Sequence, residues 1–203
     1  VGQLGTIISE FRARDVAEVA FAGGVGKVRA FRNALPDLTM VRTLARLRNF
    51  HDDALLRAIA QTLESHGLRV IPSTEFLAEV LAVAGVLTRR APTGEERRDV
   101  ALGREVAEAL GRADVGQTVV VKAGNVIAVE AAEGTDACIR RAGELAGPGV
   151  VVVKRVKAGQ DTRFDLPAVG PKTIDTLREV QGAVLAIDAG RTLVLEAAEL
   201  VRR

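Results

Sequence analysis

Residues 117–131 read QTVVVKAGNVIAVEA. Two β-branched runs flank Lys122-Ala123-Gly124-Asn125, so the stretch predicts a β-hairpin turning at that tetrapeptide. Working outward, residues 95–110 carry an amphipathic helical pattern before the hairpin. EGTD (133–136) follows it and leads into a helix to about Leu145. GVVVVKRV (149–156) reads as a strand and 172–180 as a helix. AVLAID (183–188) and TLVLEA (192–197) suggest a second hairpin around Ala189-Gly190-Arg191. The second half is therefore expected to be α+β and built on two hairpins.

The first half differs in style. Leu4, Ile7, Ile8 and Phe11 form one stripe of a helix over 1–13. VAEVAFA (16–22) reads as a short buried strand ending in GGVGK (23–27), an order that suits an α/β domain. Leu38, Val41, Leu44 and Leu47 mark a second helix. Asp52 and Asp53 open a third, which His66-Gly67 closes. LRVIPS (68–73) reads as a strand, after which Ser73 or Thr74 is expected to cap a helix to about Ala84. TRRAPTG (88–94) has no periodicity. It places a linker at 89–94 between a first domain over 1–88 and a second over 95–203.

Composition narrows the function. Apolar residues make up 48% of the 203, enough for a substantial core, but aromatics are only 3%. That shortage argues against nucleic-acid modules that stack bases on exposed rings. The net charge of +2 is a small excess over many balanced charges and gives no reason to invoke DNA. A single cysteine, Cys138, excludes an internal disulfide framework and a Cys-rich zinc site, and is read as a buried or incidental thiol. No apolar run approaches the roughly 18 residues of a membrane span. No signal peptide is recognisable, and a cytoplasmic setting is expected. The chain opens on Val1, as expected of a processed chain or a fragment.

Three constellations carry candidate chemistry. In EGTD, Thr135 is placed to cap a helix and Asp136 to sit in its first turn, which is a purely structural reading. The same geometry suits phosphate: helix-start N–H groups bind anions, and Gly134 lets a ligand approach the backbone. Glu133 and Asp136 would hold a hard cation beside it. In KRVKAGQDTRFDLPAVGPKT (154–173), Lys154, Lys157, Arg163 and Lys172 surround Asp161 and Asp165. This is either a solvated loop or a loop stiffened by Pro167, Gly170 and Pro171 for diphosphate chemistry. In HDDALLRAI (51–59), Asp52 and Asp53 are an N-cap and an early-turn acid, or contacts to a metal or sugar hydroxyl. GGVGK lacks the spacing of a nucleotide-triphosphate loop. His51 and His66 have no partners at ligand spacing and read as surface or capping residues.

HDDALLRAI (51–59), DVGQTVVVKAGNVIAVEAAEGTDACIRRAG (114–143), GQDTRFDLPAVGPKTI (159–174) and AGRTLVLE (189–196), in that order, resemble the LpxI-type UDP-2,3-diacylglucosamine pyrophosphatases of lipid A biosynthesis. The resemblance implies a Rossmann-like first domain and a family-specific α+β second domain. That family's pattern opens with a strand and an IAGGG-type turn. This sequence opens at VGQLG, so the first domain is expected to be a truncated Rossmann-like unit. The implied reaction is Mg²⁺-dependent hydrolysis of the diphosphate of UDP-2,3-diacylglucosamine to UMP and 2,3-diacylglucosamine 1-phosphate. Water would attack the sugar-side phosphorus in a cleft between domains. The resemblance implies Asp165 as the key acid and carries over Glu133, Gly134, Thr135 and Asp136; Asp161 and Arg163 are expected to join Asp165 as catalytic residues, with Asp165 and Asp136 at the metal. Glu133, Gly134, Thr135, Asp136, Gly170, Lys172, Asp52 and Asp53 are expected to bind substrate or phosphate. A homodimer that meets the inner membrane surface transiently is also implied. The rival readings are a non-catalytic nucleotide-sugar or lipid-binding module, or an inactive fragment.

Overall fold

The computed structural model describes residues 2–22, 36–45, 47 and 52–203, with the side chains of Asp52 and Asp53 outside that description. The stretch GGVGK (23–27) and His51 also lie outside the described residues. The chain divides into two compact units. The first comprises Val1–Leu77 and Asp161–Asp165; the second comprises Ala78–Gln160 and Leu166–Arg203.

In the first unit, helix α1 (Leu4–Ala13) leads to strand β1 (Glu18–Ala20). Helices α2 (Leu38–Ala45) and α3 (Asp52–Ser65) come next, then strand β2 (Arg69–Ile71). β1 and β2 pair in parallel, Val19 opposite Val70, as a Rossmann-like unit requires. Leu4, Ile8, Met40, Ile59, Leu63 and Leu68 close over the strands as the core. One carboxylate organises two helix starts. Asp37 accepts from Met40 N at 2.8 Å in the first turn of α2, and from Gly5 N at 2.6 Å in the first turn of α1. Both helices thereby have an orphan N–H satisfied by one side chain. Thr43 and Thr62 share a buried hydroxyl contact of 3.0 Å between α2 and α3.

In the second unit, helix α4 (Gly94–Arg112) precedes the hairpin strands β3 (Thr118–Lys122) and β4 (Asn125–Val129). Helix α5 (Thr135–Ala146), strands β5 (Val151–Lys154) and β6 (Ala168–Val169), helix α6 (Pro171–Glu179), strands β7 (Val184–Ile187) and β8 (Leu193–Val194) and helix α7 (Ala197–Arg202) complete it. The main sheet has the order β4-β3-β5-β7. Its strands are so apolar because both faces are covered. Val119 and Val121 face α4 through Ala107, while Val120, Ala128, Val150 and Val152 face Cys138, Ile139 and Ala142 of α5 and Leu177 of α6. Gly103 lets α4 approach closely, since a Cβ there would lie 2.5 Å from Val153 Cγ2.

The first hairpin forms as the sequence predicts. Ala123 and Gly124 both take positive φ, 49° and 75°, as a two-residue turn of the primed type demands. Their amides donate to Asp99, a buried α4 carboxylate, at 2.9 and 2.7 Å. α4 begins with a capping box between Thr93 and Glu96.

Three expectations are corrected. The second hairpin does not form: β7 pairs in parallel with β5, and β8 pairs in parallel with β6, so the 183–188 and 192–197 segments belong to different sheets. The helix expected to about Ala84 is instead two short 3-10 turns, Ser73–Glu75 and Ala78–Val80. Phe76 and Val83 remain exposed there, so no buried stripe exists to support an α-helix. Ala82 is drawn to a strand instead, donating to Thr192 O at 2.8 Å and accepting from Gly190 N at 2.7 Å. Those bonds, with Arg90 donating to Ala183 O, tie residues from 78 onward to the second unit, so the observed division lies ahead of the 89–94 break.

Removing the Asp99 carboxylate takes away the charged acceptor of two turn amides, which lie in exposed residues and would then turn to water. Asp99→Ala is expected to lower the unfolding free energy by about 2–3 kcal/mol, the scale of losing bonds to a charged acceptor, measured by urea denaturation.

Candidate functional site

The polar centre of the second unit follows from strand parity. Side chains two apart share a face of a sheet. Thr118 shares its face with Val120, Glu130 follows Ala128 on that face, and Lys154 follows Val152. Three neighbouring strands thus deliver three polar groups to one end of an apolar face, against the start of α5. All three residues are buried, with Lys154 and Glu130 each 7% exposed. The Lys154 ammonium donates to Thr135 Oγ1 at 3.2 Å and to Ala168 O at 3.0 Å. The Thr135 hydroxyl donates to Glu130 Oε1 at 3.1 Å, and Thr118 Oγ1 lies 3.4 Å from the same hydroxyl. Glu130 Oε2 is buried and has no hydrogen-bond partner among the described residues. Burial pushes the Lys154 ammonium below its ordinary pKa, opposed by the nearby charges of Glu130 and Asp136.

This corrects the reading of EGTD. Gly134, at φ 84° and ψ 167°, is the N-cap of α5, and Thr135 is the first helical residue. Its hydroxyl joins the buried network instead of capping the helix. Glu133 accepts from Ala131 N at 3.0 Å and from Arg141 at 2.6 Å. Its own backbone N–H first, and Arg141 second, hold its carboxyl below the usual range. Asp136 sits in the first turn of α5, as expected, and pairs with Lys172 at 2.8 Å. Lys172 lies in the first turn of α6, for which Gly170 is the N-cap and Pro171 the first residue. The salt bridge therefore draws two helix N-termini together, and their free N–H groups and dipoles favour an anion. The Lys172 side chain is 82% exposed, leaving its ammonium reachable from solvent.

The RFDLP motif is divided between the units, with Asp161–Asp165 in the first and Leu166 onward in the second. Asp161 accepts from Arg163 N at 3.1 Å, and from the guanidinium at 3.0 Å through Nε and 2.8 Å through Nη2. Arg163 Nη1 reaches Glu64 at 2.6 Å. The guanidinium is thus held by two carboxylates, and its bond to Asp161 pushes its pKa above the ordinary value. Phe164 packs on the first core and meets Phe21 with ring centroids 5.1 Å apart. Asp165 N donates to Asp161 O at 3.0 Å, and Asp165 is half-buried.

Among the described residues, no three His, Cys, Asp or Glu side chains group to hold a metal ion. Mg²⁺ rarely needs such a cage. It commonly binds one or two carboxylates and completes its shell with water and substrate phosphate. Asp165 fits that donor chemistry. Asp136 fits it only with displacement of Lys172. Cys138 is buried, its thiol pushed up to about 12 by burial, which leaves it an inert core group as expected. The Lys154–Thr135–Glu130–Thr118 network escaped the sequence reading, although the even spacing of Thr118, Val120, Val152 and Lys154 carried the signal.

The two units and their motifs define a two-domain α/β protein with anion-favouring helix starts. Residues 83–203 match the LpxI C-terminal domain and residues 1–80 the LpxI N-terminal domain. The chain belongs to the LpxI family. It is 34% identical over 209 aligned positions to the UDP-2,3-diacylglucosamine pyrophosphatase LpxI of Caulobacter vibrioides, covering 97% of this chain and 74% of that protein. Among the described residues, no helix is long and apolar enough to cross a membrane.

Arg163 holds the Asp161 carboxyl below its ordinary value, ahead of every other influence. The stability this contributes is present above the unfolded pKa of about 4 and is lost as pH falls through the lower folded value. Asp161→Asn is therefore expected to destabilise the first unit at neutral pH and to flatten its acid unfolding below about pH 4, followed by circular dichroism.

Proposed function

We propose that this chain hydrolyses the diphosphate of UDP-2,3-diacylglucosamine, with Mg²⁺, to UMP and 2,3-diacylglucosamine 1-phosphate. The observation that carries the reading is the start of α5. There a positive-φ glycine, a helix N-terminus and a solvent-reachable Lys172 are assembled from the EGTD and GPKT motifs. That is a seat for a phosphate group. The name of the Caulobacter relative supports the substrate.

In this reading Gly134 and the first-turn N–H groups of α5 cradle a phosphate, and Lys172 turns from Asp136 to meet its charge. Gly170 and Pro171 hold the second helix start in place. Glu133 braces the approach to Gly134 through Arg141 and Ala131. Asp165 orients the attacking water. The new bond joins the water oxygen to the sugar-side phosphorus, the bond from that phosphorus to the bridging oxygen breaks, and UMP departs with the bridging oxygen. The water proton passes to Asp165. Mg²⁺, held by Asp165 and substrate oxygens, would offset phosphate charge. Arg163 and Asp161 shape the turn that presents Asp165, since the Arg163 guanidinium is already committed to two carboxylates. The diacylated substrate would bring the enzyme to a membrane surface.

The test measures UMP release from UDP-2,3-diacylglucosamine. Asp165→Ala is expected to lower kcat by at least about 100-fold, the scale of losing a positioned acid–base group. Chelation with EDTA should abolish turnover and added Mg²⁺ restore it. Undiminished activity in Asp165→Ala would remove the assigned role, and turnover indifferent to EDTA would remove the metal.

A further inference from the structure

A buried ammonium needs a reason. Replacing a buried charge pair by apolar groups of similar size is often neutral or stabilising, so Lys154 and Glu130 are a poor choice if stability alone were at stake. Their face of the sheet also carries Thr118, but its body is Val120, Ala128, Val150 and Val152, and a methionine at 154 would continue it. Instead Lys154 ends β5 with an ammonium whose hydrogen bonds reach separate parts of the second unit. One goes to Thr135, the first residue of α5, and the other to the carbonyl of Ala168, the first residue of β6. Ala168 follows Leu166-Pro167, the segment by which the chain leaves Asp165. Pro167 fixes its own φ, which makes this exit stiff. Thr135 is in turn oriented by Glu130, because a hydroxyl that donates to a carboxylate presents its lone pairs to the ammonium.

We propose that Lys154 is a positioning residue for the hydrolysis: it clamps the first turn of α5 to the start of β6, with Thr135 as the shared hydroxyl and Glu130 as the group that orients it. The clamp keeps the phosphate-cradling turn and the strand leaving Asp165 in fixed register within the second unit. Its catalytic consequence rests on the reading given under Proposed function; the clamp itself does not.

The experiment therefore has two readouts. Backbone hydrogen exchange, followed by mass spectrometry, reports the clamp, and steady-state kinetics report its use. In Lys154→Met, exchange is expected to rise about tenfold in peptides covering 134–137 and 166–172, with Val119–Val121 and Val151–Val153 unchanged. Thr135→Val should give the same pattern at 134–137, and Thr135→Ser, which retains the hydroxyl, should restore the parent's exchange there. The double variant Lys154→Met/Thr135→Val should be no worse than either single one, because both break the same contact. Kinetically, kcat of Lys154→Met is expected to fall about 100-fold, the scale of a small misplacement of reacting groups, with KM changed by less than about threefold. The variant Glu130→Gln/Lys154→Met removes both charges and should fold while keeping the loss in kcat.

Exchange in Lys154→Met that matches the parent, or that rises uniformly across the main sheet, overturns the clamp. A raised KM with kcat intact overturns the positioning role. Inactivity of the parent chain would count against the hydrolase reading alone, since the exchange pattern would still decide the clamp.

Discussion

A cation withdrawn from water must be met by oxygen atoms in fixed places, and the second unit is arranged around one such demand. Lys154 closes β5 at the point where an apolar sheet face runs out. Its ammonium is met by a hydroxyl from one element and a carbonyl from another. These contacts tie the strand end to α5 and β6 through Thr135 and Ala168, residues more than thirty positions apart in the sequence. The carboxylate of Glu130 lies one hydrogen bond beyond, so Thr135 bridges the cation and its countercharge. The α5 start can then have a glycine at its cap, because the helix is fixed by its first residue and not by a capping side chain.

The two helix starts of the second unit share one electrostatic problem. Each has N–H groups that its own helix does not use, and both gather positive potential at the same place. Asp136 and Lys172 balance each other across the gap. An arriving dianion would change that balance. On the proposed function it would supply the negative charge that the helix starts favour and release Lys172 from Asp136. In the first unit charge is used otherwise: Arg163 is held by Asp161 and Glu64, and there it stiffens a turn.

Much of the fold was legible because it rests on local periodicity. The β3–β4 turn is dictated by Ala123-Gly124, and the helices beginning at 4, 38, 52, 94, 135 and 171 follow from their apolar stripes and caps. The misread parts depend on distant partners. Leu193 and Val194 have the pattern of a hairpin strand, but their mates are Ala168 and Val169. Residues 78–82 have a helical composition, yet the carbonyl of Thr192 claims the amide of Ala82. The short helix at the end, Ala197–Arg202, has too few residues to announce itself. The site was half legible. Its charged residues were visible as motifs, but their pairing was not. Asp136 and Lys172 read as ligands for metal and phosphate, and Asp161 and Arg163 as catalytic groups; the structure shows each pair as an ion pair. Lys154 was counted among the loop cations, although its parity with Val150 and Val152 puts it in the core.

The close approach of α4 to the main sheet has a consequence for how this sequence can drift. A side chain at Gly103 would collide with Val153, and it would crowd Val121 as well. Larger residues can enter the helix at that point only if the valines opposite shrink at the same time. Helix and strand must therefore change as a correlated pair, and homologues that lose the glycine should show their compensation at positions 121 and 153.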